Sequence, residues 1–389
     1  MLRTSRLTKA LGVCAAVTGG AALAAGLAGL GTAAYFMRRI VTPERDQPDD
    51  AQVLSVTGAT VTFTADEPST APGRYGLWLD RRAGHARIGE VITQDDRART
   101  VTRELLGTDS GTLRPGPARW SQYFYAGPPG ESLGLPCQEI VVRSEVGALP
   151  AWLVPGHGQH AERWAVLVHG RGALREECLR ALPVLRELGL TSLVVGYRND
   201  LDAPPSADGR YNLGLSEWQD VEAAIVHALE RGATEVVLIG WSMGAAIVLQ
   251  TLDRSWTSER VSRVVLDSPV IDWGDVIEHQ ARVNRVPDAI ATLGRDLLSG
   301  RAGRRLIGVA QPVDVAETNW VARADELTHP MLVIHSEDDD FVPYGPSAAL
   351  ADARPDLVTF EHWKLAGHCR EWNVDPVRWE SAVRDFCSS

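Results

Sequence analysis

Ser242 lies in Gly240-Trp241-Ser242-Met243-Gly244, directly after Glu235-Val236-Val237-Leu238-Ile239 and directly before Ala245-Ala246-Ile247-Val248-Leu249-Gln250. A β-like run, then G-x-S-x-G, then a helix-like run puts the serine on a strained strand-to-helix turn. Side chains at Gly240 and Gly244 would collide with neighbouring backbone in so tight a turn, and Ala245 and Ala246 keep the helix close to the sheet. Free N–H groups and the helix dipole at this point favour a developing negative charge. Ser242 is therefore the candidate nucleophile. The N–H of the next residue, Met243, is a candidate donor to an oxyanion.

A serine hydroxyl needs a base to remove its proton and an acid to orient that base. Leu365-Ala366-Gly367-His368 follows the strand-like Leu357-Val358-Thr359-Phe360, so His368 falls on a loop between the last strand and the closing helix. No other histidine has that position. An acidic loop, Glu337-Asp338-Asp339-Asp340, follows the strand-like Met331-Leu332-Val333-Ile334, giving the chain order Ser, Asp, His. Cys369 beside His368 has no Cys-x-x-Cys or His-Glu-x-x-His to accompany it, and His157-Gly158-Gln159-His160 stands alone, so no metal site is expected. No cofactor is implied.

Taken together, these segments resemble the α/β-hydrolases, the superfamily of serine esterases, lipases and peptidases, over residues 136 to 389. The resemblance implies an α/β fold, a doubly wound and mostly parallel sheet with a helical cap insertion. The family's acid loop, H-G-x-x-D-x-x-V-P, laid on His335-Ser336-Glu337-Asp338-Asp339-Asp340-Phe341-Val342-Pro343, implies Asp339 as the acid, with Ser336 in place of the usual glycine. Asp338 and Asp340 are then solvated neighbours. Asp267, ending the strand after the nucleophile helix, is the rival position. Family members with His-Gly-x after an earlier strand take an oxyanion donor from the N–H of x. On Val168-His169-Gly170-Arg171-Gly172 this implies Arg171, with Gly172 next to it.

The supporting elements read in the same register. Residues 139–143 and 148–154 form an opening hairpin, followed by strands at 164–169, 191–196, 235–240, 262–267, 330–335 and 356–361. Ser216 and Gln219 read as a capping box for a helix carrying Trp218, Val221, Ile225 and Ala228 at helical spacing, which Gly232 closes. Residues 273–325 read as a cap over Ser242 that sets substrate size.

Upstream, residues 42–135 read as a linker and a small β-rich N-terminal domain. Its strand-like runs lie at 53–56, 61–64, 75–79 and 86–92, and Gly107 to Gly134 is a Gly/Pro-rich arm. Residues 1–41 form an N-terminal segment with no charge from Ala10 to Met37, with Arg3, Arg6 and Lys9 before it and Arg38-Arg39 after. That length matches a transmembrane helix. The flanking charges favour a single-pass anchor in the cell membrane with the body outside the cytoplasm, the alternative being a secreted protein after signal cleavage. No chemical residue lies in 1–41, so its removal is expected to leave turnover unchanged.

The 389-residue chain, 44% hydrophobic, can bury an enzyme-sized core. Its net charge of −11 excludes nucleic acid as the natural partner. Four cysteines lie beyond the apolar segment, and sequence alone does not choose a disulfide pairing among them. The expected activity is a serine hydrolase cleaving a carboxylic ester or related acyl bond on a small-molecule acyl or peptide substrate. A serine peptidase cleaving amides is the alternative. A catalytically silent, membrane-tethered binding module is the alternative of another class.

Overall fold

Short Val/Thr/Leu runs separated by turns can bury one face by curling on themselves, and residues 51–121 do so. β1 (Ala51–Val56), β2 (Thr60–Thr64), β3 (Tyr75–Leu79), β4 (Gly84–Asp95), β5 (Thr100–Ser110) and β6 (Gly116–Ser121) close a barrel in the order β1-β2-β5-β4-β3-β6. The computed structural model describes residues 26–44 and 47–388. Val53, Val61, Phe63, Leu77 and Ile88 fill the barrel. Buried Arg103 is stabilised there by donating to the carbonyls of Ser69, Ala71, Gly73 and Gly89. Part of the segment read as an arm is strand. The end of β5 lies in it, and β6 pairs with β1 through Gly116–Ala118 and with β3 through Arg119–Ser121. Gly and Pro weaken a strand locally, but a strand flanked by two partners overrides that composition. Beyond β6 the chain does cross to the second body, where Phe124 packs on Trp372.

Apolar runs without alternation need cover on both faces, and the sheet of the second body has it. β7 (Gln138–Ser144) and β8 (Gly147–Val154) form the hairpin. β9 (Arg163–Val168), β10 (Thr191–Val195), β11 (Glu235–Trp241), β12 (Val261–Asp267), β13 (Met331–Ser336) and β14 (Val358–Trp363) complete an eight-stranded sheet in the order β14-β13-β12-β11-β9-β10-β8-β7. Strands β9 to β14 run parallel. Successive side chains point to opposite faces: Val166, Val168 and Leu238 join one core with Tyr197 and Val221, while Ala165, Leu167 and Ile239 join the other with Leu182 and Trp379.

The crossovers are α1 (Leu182–Glu187), α2 (Trp218–Glu230) and α3 (Met243–Arg254). α4 (Trp273–Val283) and α5 (Asp288–Ser299) lie in the long excursion between β12 and β13. α6 (Gly345–Ala353), α7 (Glu371–Val374) and α8 (Pro376–Ser388) follow. Gly232, at φ 92°, ends α2. The capping box at its start does not form. Glu217 is the N-cap in helical conformation, and its carboxylate accepts instead from the N–H groups of Asn212 and Gly214, so a tertiary loop takes the cap's place. The four cysteines of the described residues, Cys137, Cys178, Cys369 and Cys387, are free thiols.

Residues 26–41 are helical. Ala33, Met37 and Val41 are buried, and Met37 packs against Gly294 of α5. Among the described residues no helix is long and apolar enough to cross a membrane. Of the segment expected to span a membrane, Ala33 and Met37 are covered by protein. Residues 1–25 of that segment lie outside the described residues.

Candidate active site

In a doubly wound sheet the crevice opens where consecutive crossovers leave in opposite directions, at the carboxyl ends of the strands. Here that point lies between β9 and β11. The two are paired in register with Gly240 beside Val168, so the loops that follow each strand face one another. Gly170 comes so close to the serine turn that a Cβ on it would sit 3.1 Å from the Ser242 Cβ. Gly244 is equally constrained, because a Cβ there would lie 2.1 Å from the Val168 carbonyl oxygen. Ser242 has φ 52° and ψ −116°, a conformation that a side chain adopts only when the surrounding packing enforces it. It occupies the N-cap of α3 but makes no side-chain cap, which leaves Oγ available.

Ser242 Oγ lies 2.8 Å from His368 Nε2, and His368 Nδ1 lies 2.7 Å from Asp339 Oδ2. Three strand ends, those of β11, β13 and β14, thus bring the three predicted side chains together. Asp339 is set by its own loop: Oδ1 accepts from the N–H groups of Phe341 and Val342 at 2.9 and 2.8 Å. Burial raises its pKa, but the charge and hydrogen bonds of His368 and His335 outweigh burial and hold it far below the usual carboxylate range. Burial likewise lowers the pKa of His368, and Asp339 outweighs this and raises it above the ordinary imidazole value.

The neighbouring acids are not hydrogen-bonded to His368. Asp338 Oδ2 accepts from the Leu365 N–H, and Asp340 is exposed, with only its backbone carbonyl oxygen near His279 Nε2, at 3.1 Å. The rival, Asp267, is buried and accepts from the Trp379 indole N–H at 2.7 Å, while its backbone oxygen accepts from the Ser242 N–H. It braces the serine turn without reaching His368.

In the facing loop, the Gly170 N–H is taken by Glu177 Oε2 at 2.6 Å and the Gly172 N–H by the Tyr211 hydroxyl at 3.3 Å. The N–H groups of Arg171 and Met243 make no hydrogen bond among the described residues. These two are the donors that remain for an oxyanion. The Tyr197 hydroxyl donates to the Gly170 carbonyl at 2.8 Å and so fixes the peptide that carries the Arg171 N–H.

Several of these contacts had no signal in the sequence. Two are the His335–Ser347 pair behind Asp339, with Nδ1 to Oγ at 2.7 Å, and the buried Glu177. The only pointer to His335 was its place at the head of the acid loop.

A cavity of about 250 Å³ opens over Ser242 and His368, lined by Gly170, Arg171 and Glu177 and, from the barrel side, by Arg119, Gln122 and Tyr123. No residue of 273–325 lines it, so the barrel end takes the place expected for the cap. The reason is docking: Asn373 Nδ2 donates to the carbonyls of Arg74 and Gln122, and the Arg74 N–H donates to the Asn373 carbonyl. The excursion instead covers the N-terminal helix, with a second cavity of about 210 Å³ between Phe36, Met37 and Ile40 on one side and Trp273, Ile277 and Phe341 on the other.

Residues 153–379 match the alpha/beta hydrolase family. The chain belongs to that family. A separate match, over residues 52–121, is to a domain of unknown function, DUF8805, and covers the barrel. Comparison with curated proteins gave no match. Among solved structures this hydrolase is similar to the esterase Pf2001 of Pyrococcus furiosus, at 18% identity over 68% of this chain and 93% of that one, with a TM-score of 0.51. It is also similar to Est1E of Butyrivibrio proteoclasticus with ferulic acid bound, at 17% identity over 64% and 98% of the two chains and a TM-score of 0.49. At such identities the first likeness establishes the fold of the hydrolase body. The activities belong to those proteins.

The hydrolase ties its N-terminal helix to the loop that carries the Arg171 N–H. Arg171 Nε donates to the Ile40 carbonyl at 2.6 Å and Nη2 to those of Arg39 and Thr42 at 2.7 and 3.2 Å, capping the helix C-terminus. The expectation that residues 1–41 can be removed without consequence therefore changes. Deletion should lower kcat on small esters roughly tenfold to hundredfold, the scale on which small displacements of donors act, and should lower the melting temperature. Turnover equal to that of the full chain would show that Arg171 is held without the helix.

Proposed function

We propose that the chain is a serine hydrolase that cleaves a carboxylic ester through an acyl-enzyme. The observation that carries this reading is the continuous relay from Asp339 through His368 to Ser242 at 2.7 and 2.8 Å. His368 Nε2 takes the Ser242 proton as Oγ attacks the carbonyl carbon, and Asp339 holds the imidazole in the required tautomer and stabilises its protonated form. The negative oxygen of the tetrahedral intermediate accepts from the Arg171 and Met243 N–H groups. His368 then gives its proton to the leaving alcohol. Water, deprotonated by the same imidazole, releases the acid and regenerates Ser242. The test is labelling by a fluorophosphonate together with turnover on a panel of simple esters and aminoacyl amides. Ester turnover with labelling supports the reading. Turnover of amides alone would make the chain a peptidase, and a folded chain without labelling or turnover would make it a binding module.

We also propose that the protein is held at a membrane by the apolar residues that precede the buried Ala33. The uncharged stretch from Ala10 to Thr32, which runs into the start of the described helix, has the length of a span. Full-length protein expressed in a bacterium should fractionate with membranes, resist carbonate extraction and keep an N-terminal tag at full mass. A chain recovered free of membrane with its tag removed would show cleavage instead.

A further inference from the structure

The cavity over Ser242 holds two guanidinium groups with no hydrogen-bond or ion-pair partner among the described residues. Arg119, on β6, is only 8% exposed, yet its side chain makes no hydrogen bond or ion pair within the described residues. Its neighbours Trp78 and Arg82 offer a ring face and a second positive charge. Arg370, two residues after His368, likewise makes no side-chain hydrogen bond or ion pair among the described residues, and its Nε is buried without a partner.

Buried guanidinium groups ordinarily find carboxylates or carbonyls, as Arg103 and Arg180 do in this chain. The carboxylates that share the cavity are already used. Glu177 accepts from the Gly170 N–H and from Gln122 and lies beside Arg180, and Asp50 accepts from the Trp120 N–H. Burial first, and then the charge of Arg82, push the Arg119 guanidinium below its ordinary pKa, while Tyr123, Asp50 and Asp49 pull the other way. An anion bound by the two arginines that line the cavity would offset the burial of Arg119 and its repulsion by Arg82.

We propose that Arg119 and Arg370 form an anion-binding subsite in the cavity over Ser242, so that the ester this hydrolase cleaves carries a carboxylate or similar oxyanion group. The proposal rests on Ser242 being the nucleophile of an ester hydrolase. The barrel then contributes to substrate selection, since Arg119 belongs to it and Arg370 to the hydrolase body. β6 thus adds a second guanidinium to that of Arg370 at the mouth of the site.

Two substrate pairs locate the anion. The mono-para-nitrophenyl ester of succinic acid, against para-nitrophenyl butyrate, carries the carboxylate on the acyl side. para-Acetoxybenzoate, against its methyl ester, carries it on the leaving-group side. At least one pair should show a higher kcat/KM for the anionic member. That preference should fall roughly tenfold to hundredfold in Arg119→Gln and in Arg370→Gln, the usual worth of a charge-assisted hydrogen bond. It should be partly kept in Arg119→Lys, which retains the charge and guards against a change that only disturbs packing. The absence of preference in both pairs, or a preference unchanged in both Gln variants, overturns the proposal. Equilibrium dialysis of each anionic ester against Ser242→Ala separates the two readings, and decides alone if the wild-type chain cleaves neither pair. Binding of either ester that depends on the arginines, when the wild-type chain takes no fluorophosphonate, would sink the esterase reading and keep the anion site. Binding of both esters indifferent to the arginines would sink the anion site alone.

Discussion

Ser242→Ala should abolish fluorophosphonate labelling and reduce ester turnover by several orders of magnitude while leaving the fold intact. The expectation follows from the geometry of the turn. The residue is buried, at φ 52°, with Oγ 2.8 Å from the imidazole that would deprotonate it. The other hydroxyl nearby, on Ser268, donates to Glu371 at 3.0 Å and accepts from the Cys369 N–H, so it is not placed to substitute. The Cys369 sulfur is 3.6 Å from His368 Nε2, but burial pushes its thiol well above the ordinary range and keeps it a poor nucleophile. Loss of the nucleophile removes the covalent route, and the other groups of such a unit then contribute little by themselves. Mass spectrometry of the labelled chain and a melting curve of the mutant check the result. A folded mutant that still takes the label would refute the assignment.

Asp339→Asn should lower kcat by roughly 10³- to 10⁴-fold, the scale seen when an orienting acid is replaced by its amide. An amide oxygen can still accept from His368, but the anion that stabilises the protonated imidazole is gone. The pH profile gives the same residue a second readout. The wild-type rate should fall as pH drops through the pKa of His368, because a protonated imidazole cannot take the serine proton. Burial lowers that pKa and Asp339 raises it by more, so the acid limb lies above the ordinary imidazole value. In Asp339→Asn the raising contribution is lost and the limb should move to lower pH. Asp338→Asn, Asp340→Asn and Asp267→Asn should have far smaller effects on kcat, since Asp339, and none of these carboxylates, is hydrogen-bonded to His368. A large loss in Asp267→Asn with a mild one in Asp339→Asn would reverse the assignment.

The barrel and the N-terminal helix change how the site should be understood. Cap helices over the nucleophile were expected to control access. In this chain α4 and α5 cover the helix of residues 26–41, and the cavity over Ser242 is walled by the barrel. The elements outside the hydrolase body thus reach the chemistry from two directions. The barrel presents Arg119 to the cavity, and the helix C-terminus holds the side chain of Arg171 while its N–H stays free.

The residues legible in the sequence were those whose role depends on local backbone. Ser242 was readable because the glycines at 240 and 244 have a steric purpose that adjacent residues reveal. His368 was readable because its loop follows the last strand. The choice of Asp339 over Asp338 and Asp340 came from the register of a family pattern, and the distances now set the three acids apart. The parallel strands were readable to within a residue or two because a strand buried on both faces must be continuously apolar. The capping box at Ser216 and the strand at Gly116–Ser121 were misread for one reason. Local composition suggested one role and the tertiary context gave another: Glu217 takes the N-cap position and turns its carboxylate to the N–H groups of Asn212 and Gly214, and Gly116–Ser121 is held as a strand between β1 and β3.

By itself, then, the sequence determined the strand and helix periods, the tight turn at Ser242 and the order of the chemical residues, all of which arise from neighbours along the chain. Only the tertiary structure decided which N–H groups are left free for an oxyanion, what holds Asp339 from behind, where the N-terminal helix packs and which side chains wall the cavity. Many of those contacts join segments far apart in the chain, such as Glu177 with Gln122, 55 residues apart, and Asn373 with Gln122, 251 apart. Residue type restricts such contacts but does not specify them, because a hydrogen-bonding group can be satisfied by any suitably placed partner and the placement is set by how two bodies dock.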